Sequence, residues 1–222
     1  MPKNIVKKTV LVVAVLVMAW VTTNVIAGGT ADAQSLPPVE QMAAERSLGD
    51  QNAKVTVIEY ASLTCPHCAA FHTGTWPAIK KEYVDTGKIK FIFRDFPLDR
   101  VALAASMIAR CAPKERYFGV IGLMFETQDT WRGAANPQAA LESIGRLAGM
   151  TAETLQTCVQ NRAVFDAVMK QRNEGDQKFK IASTPTILVN GQKIDGNVDI
   201  ERFRELVDQA LTGVRQKAAS GN

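Results

Sequence analysis

The stretch Val55-Thr56-Val57-Ile58-Glu59-Tyr60-Ala61-Ser62-Leu63-Thr64-Cys65-Pro66-His67-Cys68 decides how the chain folds. Its first six residues are β-branched or aromatic apart from Glu59, which fits a buried strand, and beyond Cys68 an apolar, helix-compatible stretch runs towards Tyr83. The Cys-x-x-Cys spacing therefore falls where a strand turns into a helix, with Cys65 at the helix N-terminus. Unsatisfied backbone N–H groups and the positive end of the helix dipole favour a thiolate there, so Cys65 is the expected nucleophile. Cys68, one turn further in, is the expected buried, resolving thiol. His67, when charged, adds a positive neighbour that favours the thiolate, and is otherwise a solvated residue at the helix start.

The spacing alone also serves zinc sites and haem attachment, and the flanks separate these. Zinc needs about four ligands, and near the pair the only histidines are His67 and His72. No metal is expected, and dithiol chemistry needs no bound cofactor. Glu59 is a carboxyl in a run that otherwise reads as buried, on the same side as Val55 and Val57 by the two-residue period of a strand. Placed behind the dithiol it is suited to passing protons to and from Cys68; the alternative is a residue on a wet face.

With 222 residues, 46% of them hydrophobic, the chain can bury a core of its own. The formal net charge is +4, but Lys3, Lys7, Lys8 and Asp32 leave only +2 for the remainder after residue 33. There is no long basic run and no clustering of aromatic residues, which argues against nucleic-acid binding. Residues 1–33 have the layout of a secretory signal peptide: Lys7-Lys8, an apolar run from Val10 to Val21, and Ala31-Asp32-Ala33 before the expected cleavage site. An uncleaved anchor is the alternative, and either delivers the rest outside the cytoplasm, where disulfides persist. A periplasmic location is therefore expected.

Residues 34–46 read as an N-terminal extension with a short helix at most. The first βαβ part spans 47–98, with a kink at Trp76-Pro77, a turn at Asp85-Thr86-Gly87 and a strand over Ile89–Phe93. Over 99–179 strand signals vanish and helical periodicity takes over. Asn136-Pro137 starts one helix, and Thr151 caps another that carries Leu155, Cys158 and Phe165. Cys111 and Cys158 each fall on an apolar helix face. In an exported chain a structural disulfide between them is the preferred reading, on the order of 4 kcal/mol for such a loop; two buried free thiols or a second catalytic pair are the alternatives. In 180–213 a strand, Ile181–Val189, leads through the Asn190-Gly191 turn into a hairpin, and an amphipathic helix runs from Ile200 to Leu211. Residues 214–222 read as a tail. Pro185, taken from its own segment, is an ordinary trans proline opening a strand.

This layout, an α/β thioredoxin fold interrupted by an α-helical insertion, resembles the DsbA-like thiol:disulfide oxidoreductases from about Ser47 to Leu211. The resemblance is carried by Ser47-Leu48-Gly49, Val57-Ile58-Glu59-Tyr60, Cys65-Pro66-His67-Cys68, Phe93-Arg94-Asp95-Phe96-Pro97-Leu98 and Thr184-Pro185. It implies that Glu59 is the buried carboxylate of those proteins, that Thr184-Pro185 is cis and faces Cys65, and that the Thr184 backbone pairs with extended substrate. Some DsbA-like branches also carry a second disulfide in the helical domain, which favours the Cys111-Cys158 pair. The best-known oxidases have Val before the cis proline, whereas Thr is familiar in isomerase relatives and in several DsbA-like branches. The expected activity is disulfide donation to unfolded or folding secreted proteins by a monomer, with a membrane oxidase of the DsbB kind as electron acceptor. An isomerase or reductase of the same fold is the enzymatic alternative, and a chaperone-like binding module the alternative from another class.

Overall fold

The computed structural model describes residues 35–196 and 199–220, so the expected signal segment 1–33 lies outside it. Five strands form one sheet: β1 (Arg46–Gly49), β2 (Val55–Ala61), β3 (Ile89–Asp95), β4 (Thr186–Val189) and β5 (Gln192–Asp195). Their spatial order is β1-β3-β2-β4-β5; β2 and β3 run parallel and the other three pairs antiparallel. A parallel pair needs a crossover, here the long helix α2 over residues 66–84. The antiparallel β4–β5 pair needs only a tight turn, in which Asn190 and Gly191 both take the positive φ such a two-residue loop demands.

β2 is central and buried on both faces, as its sequence requires. Val55, Val57, Glu59 and Ala61 face the larger core, while Tyr60 turns to a smaller one with Phe96, Ile181 and Leu188. Helix α1 (Val39–Ala43) precedes the sheet. The segment between β3 and β4 contains α3 (Arg100–Cys111), α4 (Tyr117–Glu126), α5 (Gln128–Arg132), α6 (Pro137–Leu147), α7 (Ala152–Gln160) and α8 (Arg162–Phe179), and α9 (Ile200–Ser220) closes the chain. Asp99, Asn136 and Thr151 cap α3, α6 and α7 with their side chains. Cys111 and Cys158 form a disulfide between α3 and α7.

Several boundaries differ from the sequence reading. The fold begins before Ser47: Met42 is 1% exposed, and Arg46 already lies in β1, opposite Phe93. What recruits this segment is Arg110, fully buried on α3, which ion-pairs with the equally buried Asp95 through Nε and donates from Nη1 to the carbonyls of Met42 (2.9 Å) and Ala44 (3.1 Å). A buried guanidinium has to be matched by acceptors, and the N-terminal backbone supplies two. β3 runs two residues past Phe93, with Arg94 and Asp95 still in register with Tyr60 and Ala61. The helix capped by Thr151 does not reach Phe165, because Asn161 ends it and caps α8, accepting from the amides of Ala163 and Val164. The strand that enters the hairpin, β4, starts at Thr186 instead of Ile181. The expected tail is instead helical to Ser220, since Val214 to Ala219 holds Ala, Arg, Gln and Lys, good helix formers that outweigh the roughly 1 kcal/mol penalty of Gly213.

Two stability measurements follow from this packing. Arg110→Met leaves the Asp95 carboxylate buried and unpaired, so urea denaturation should show a loss of roughly 3–5 kcal/mol, with residues 39–46 newly open to proteolysis. Replacing Cys111 and Cys158 by Ala opens a loop of 47 residues' separation, and about 2–4 kcal/mol should disappear from the same measurement.

Candidate active site

Cys65 is the N-cap of α2, in extended conformation (φ −78°, ψ 119°), and Pro66 takes the first helical position, where its missing N–H is harmless. Both site cysteines are free thiols. Cys65 is 6% exposed and Cys68 fully buried, while Pro66 and His67 between them are exposed. The Thr184-Pro185 peptide is cis, and the Cys65 thiol donates to the Thr184 carbonyl at 3.2 Å. The hydroxyl of Thr184 is buried without a partner while Cys65 is protonated, and it is one of the groups that stabilise the thiolate.

The two sulfurs are driven in opposite directions. Hydrogen bonding from Cys68 is the largest influence on Cys65; burial opposes it, and Thr184 together with the backbone N–H groups of Cys68 and His67 adds to it, bringing the Cys65 pKa down to about 5. Burial pushes the Cys68 thiol far up, reinforced by its hydrogen bond to Cys65 and by the charge of Glu59. His67 thus acts on Cys65 through its main chain, a contribution its side-chain chemistry does not reveal.

Behind the pair, Glu59 is fully buried and faces His72, whose Nε2 lies 2.9 and 3.2 Å from the two carboxyl oxygens. His72 is 8% exposed and stacks on Phe125 at 4.2 Å between ring centroids, with Phe71, Phe93 and Trp76 around it. It sits on α2 where residues Phe71–Thr75 widen into a π-helical turn, closed by the Trp76 amide donating to the Phe71 carbonyl. The following Pro77 has no N–H to give to an α-type ladder, and the wider turn puts the consecutive residues Phe71 and His72 both inside. So the kink expected at Trp76-Pro77 takes the form of a π-turn. His72 figures in the sequence reading only as a possible zinc ligand; its spacing of four from Cys68 on one helix is the signal that places it on the dithiol's side.

The turn before Cys65 is held from the helical insertion. Asp99, the cap of α3, accepts from the Thr64 hydroxyl at 2.6 Å, and Gln128 of α5 donates to the carbonyls of Leu63 and Cys65. The sequence marks neither as a site residue, since a polar residue at a helix start ordinarily only caps. Cys111 and Cys158 belong to the insertion's own packing, where Cys158 Sγ lies beside the Met107 carbonyl.

The depressed Cys65 pKa has a consequence for stability of the reduced form. Between about pH 5 and the ordinary thiol range near 9 the unfolded chain binds the Cys65 proton and the folded one does not, so stability rises with pH by about 1.4 kcal/mol per unit; above that range buried Cys68 keeps a proton that the unfolded chain loses, and stability falls again. The contribution is about 3 kcal/mol at pH 7 and vanishes below pH 5. Urea denaturation of reduced and oxidised protein across this window should show the slope in the reduced form alone.

Comparisons with known proteins agree with this geometry. The family model described as Thioredoxin matches residues 41–209. A Rickettsia felis protein, provisionally described as a protein-disulfide oxidoreductase, is 33% identical over 172 residues, covering 77% of this chain and 62% of the relative, so the chain spans under two thirds of that relative's length. The disulfide bond formation protein D of Bacillus subtilis is 28% identical, with 75% of this chain and 77% of that one covered. Among solved structures, Wolbachia pipientis alpha-DsbA1 superposes with a TM-score of 0.73 at 29% identity, covering 82% of this chain and 96% of that one. With a sheet interrupted by helices, a Cys-Pro-His-Cys helix start and a cis proline against its first sulfur, the chain belongs to the thioredoxin family, in its DsbA-like disulfide oxidoreductase branch.

Proposed function

We propose that the protein is a thiol:disulfide oxidoreductase that donates disulfides to unfolded or folding exported proteins. The observation that carries this is the opposed titration of the two sulfurs, Cys65 held down to about 5 and Cys68 pushed up. In the oxidised enzyme a substrate thiolate attacks Cys65 Sγ, the Cys65–Cys68 bond breaks, and Cys68 leaves and takes a proton. A second substrate thiolate then attacks the substrate sulfur of the mixed disulfide and Cys65 departs as a thiolate. The substrate loses two electrons and two protons, and the enzyme gains the electrons. A low leaving-group pKa at Cys65 speeds release and stabilises the reduced enzyme, which makes the disulfide oxidising.

Thr184 and Pro185 provide the docking edge: the Thr184 carbonyl, which the Cys65 thiol occupies in the reduced form, is free for an extended substrate once the disulfide forms. Glu59 with His72 stores the proton that Cys68 takes up and must release on reoxidation. Reoxidation falls to a membrane oxidase of the DsbB kind. Export and a periplasmic location find their support in the Lys7-Lys8, apolar and Ala31-Asp32-Ala33 pattern of residues 1–33.

Equilibration against glutathione tests the direction of electron flow. A potential near −120 mV (about the DsbA value) is expected, and one near −270 mV (about thioredoxin's) would make the protein a reductase. Glu59→Gln should leave the Cys65 thiolate in place yet slow reoxidation by roughly a hundredfold, read by stopped-flow fluorescence with oxidised glutathione.

A further inference from the structure

We infer that Gln128, on the helical insertion, is a positioning residue for the Cys65 thiolate and thereby sets the oxidising strength of the dithiol. The inference rests on the disulfide-donor reading above and deepens it. Gln128 opens the short helix α5 and is 3% exposed. Its Nε2 donates to the Leu63 carbonyl at 2.8 Å and to the Cys65 carbonyl at 3.0 Å, so both hydrogens of one amide nitrogen bracket Thr64.

The first of these bonds has an ordinary structural explanation. Leu63 is buried, and its carbonyl needs a donor. The second satisfies the other hydrogen of the buried Gln128 amide, but the Cys65 carbonyl did not need it, because it already accepts from the Ala69 amide, the bond that opens α2. What the second bond adds is orientation of the Cys65 peptide. That orientation aims Sγ at the N–H groups of His67 and Cys68 on one side and at Thr184 on the other, the donors that hold the thiolate. The thiol form depends on them far less, so loosening the peptide raises the Cys65 pKa instead of affecting both forms equally. The donor end of the Gln128 amide also points its positive dipole at the Cys65 backbone. Thr64, fixed to the cap residue Asp99, braces the same turn from α3, so the insertion grips the three residues 63–65 in succession.

The test uses the full exported chain in three variants. Gln128→Met keeps the side-chain length and removes both donors; Gln128→Glu keeps the shape and places an acceptor where a donor stood. Leu155→Ala, in the insertion's own core, weakens the insertion without touching the turn. Thiolate absorbance against pH and the equilibrium constant with glutathione are measured for each. In Gln128→Met the titration midpoint should rise by about half to one unit, and the equilibrium should move roughly three- to tenfold towards the oxidised enzyme. Gln128→Glu should move both further in the same sense, and Leu155→Ala should lower the urea midpoint while leaving both unchanged. Wild-type midpoints in the Gln128 variants, or an equal shift in Leu155→Ala, would overturn the inference. Should Gln128→Met not fold, the uncharged Gln128→Leu, equally without donors, is measured in its place: a rise supports the role and no rise overturns it. A wild-type midpoint in the ordinary thiol range would instead sink the donor reading itself, and is seen before any variant is compared.

Discussion

Cys65 Sγ and the Thr184 carbonyl lie 119 positions apart in the chain and 3.2 Å apart in space, and the rest of the structure has to permit that contact. The antiparallel register of β2 and β4 does so. Tyr60 faces Thr186, so the last residues of β2 lie beside the first of β4. The turn leaving β2 towards Cys65 and the cis peptide entering β4 therefore emerge at one end of the sheet. Closing a loop of this length is entropically unfavourable, and the buried apolar side chains of β2 and β4, Val55, Val57, Ile187 and Leu188 among them, are what offset it.

Between those two strands the chain makes a long helical excursion, which is fastened at points that matter to the dithiol. The buried Asp95–Arg110 pair ties its first helix to β3 and draws in the N-terminal segment. Asp99 and Gln128 fasten it to the turn before Cys65. The insertion is consequently part of the mounting of the turn that carries Cys65.

The chemistry comes from putting two identical side chains one helical turn apart in unlike surroundings. Cys65 meets the amides of a helix start and the polar edge at Thr184; Cys68 meets the protein interior and a carboxyl. Glu59 lies on the central strand between Phe93 and Ile187, where its carboxyl oxygens face the His72 imidazole. A carboxyl and an imidazole confined together in an aromatic surround can share a proton close to a thiol that must gain and lose one.

The local elements were largely legible in the sequence, because they depend on short-range chemistry: β-branched runs for β2, Asn-Gly for the hairpin, Asn136 and Thr151 for the caps, and the cysteine spacing for the helix start. The Cys65–Cys68 pair could be named for the same reason, and Glu59 placed on the buried face of β2. Where local signals compete the reading was weaker, as at Asn161, which breaks a helix that periodicity alone would continue, and at Gly213, which does not. Tertiary structure alone decided the rest. That His72 turns inward through a π-turn to meet Glu59 and that Gln128 reaches the Cys65 carbonyl 63 residues away depend on segments meeting across the core; the cis Thr184-Pro185 peptide facing Cys65 was implied by the resemblance, though not by its own segment. Periodicity specifies which face of an element is buried, but not which buried polar group it will meet there, and that pairing is set by the packing of the whole chain.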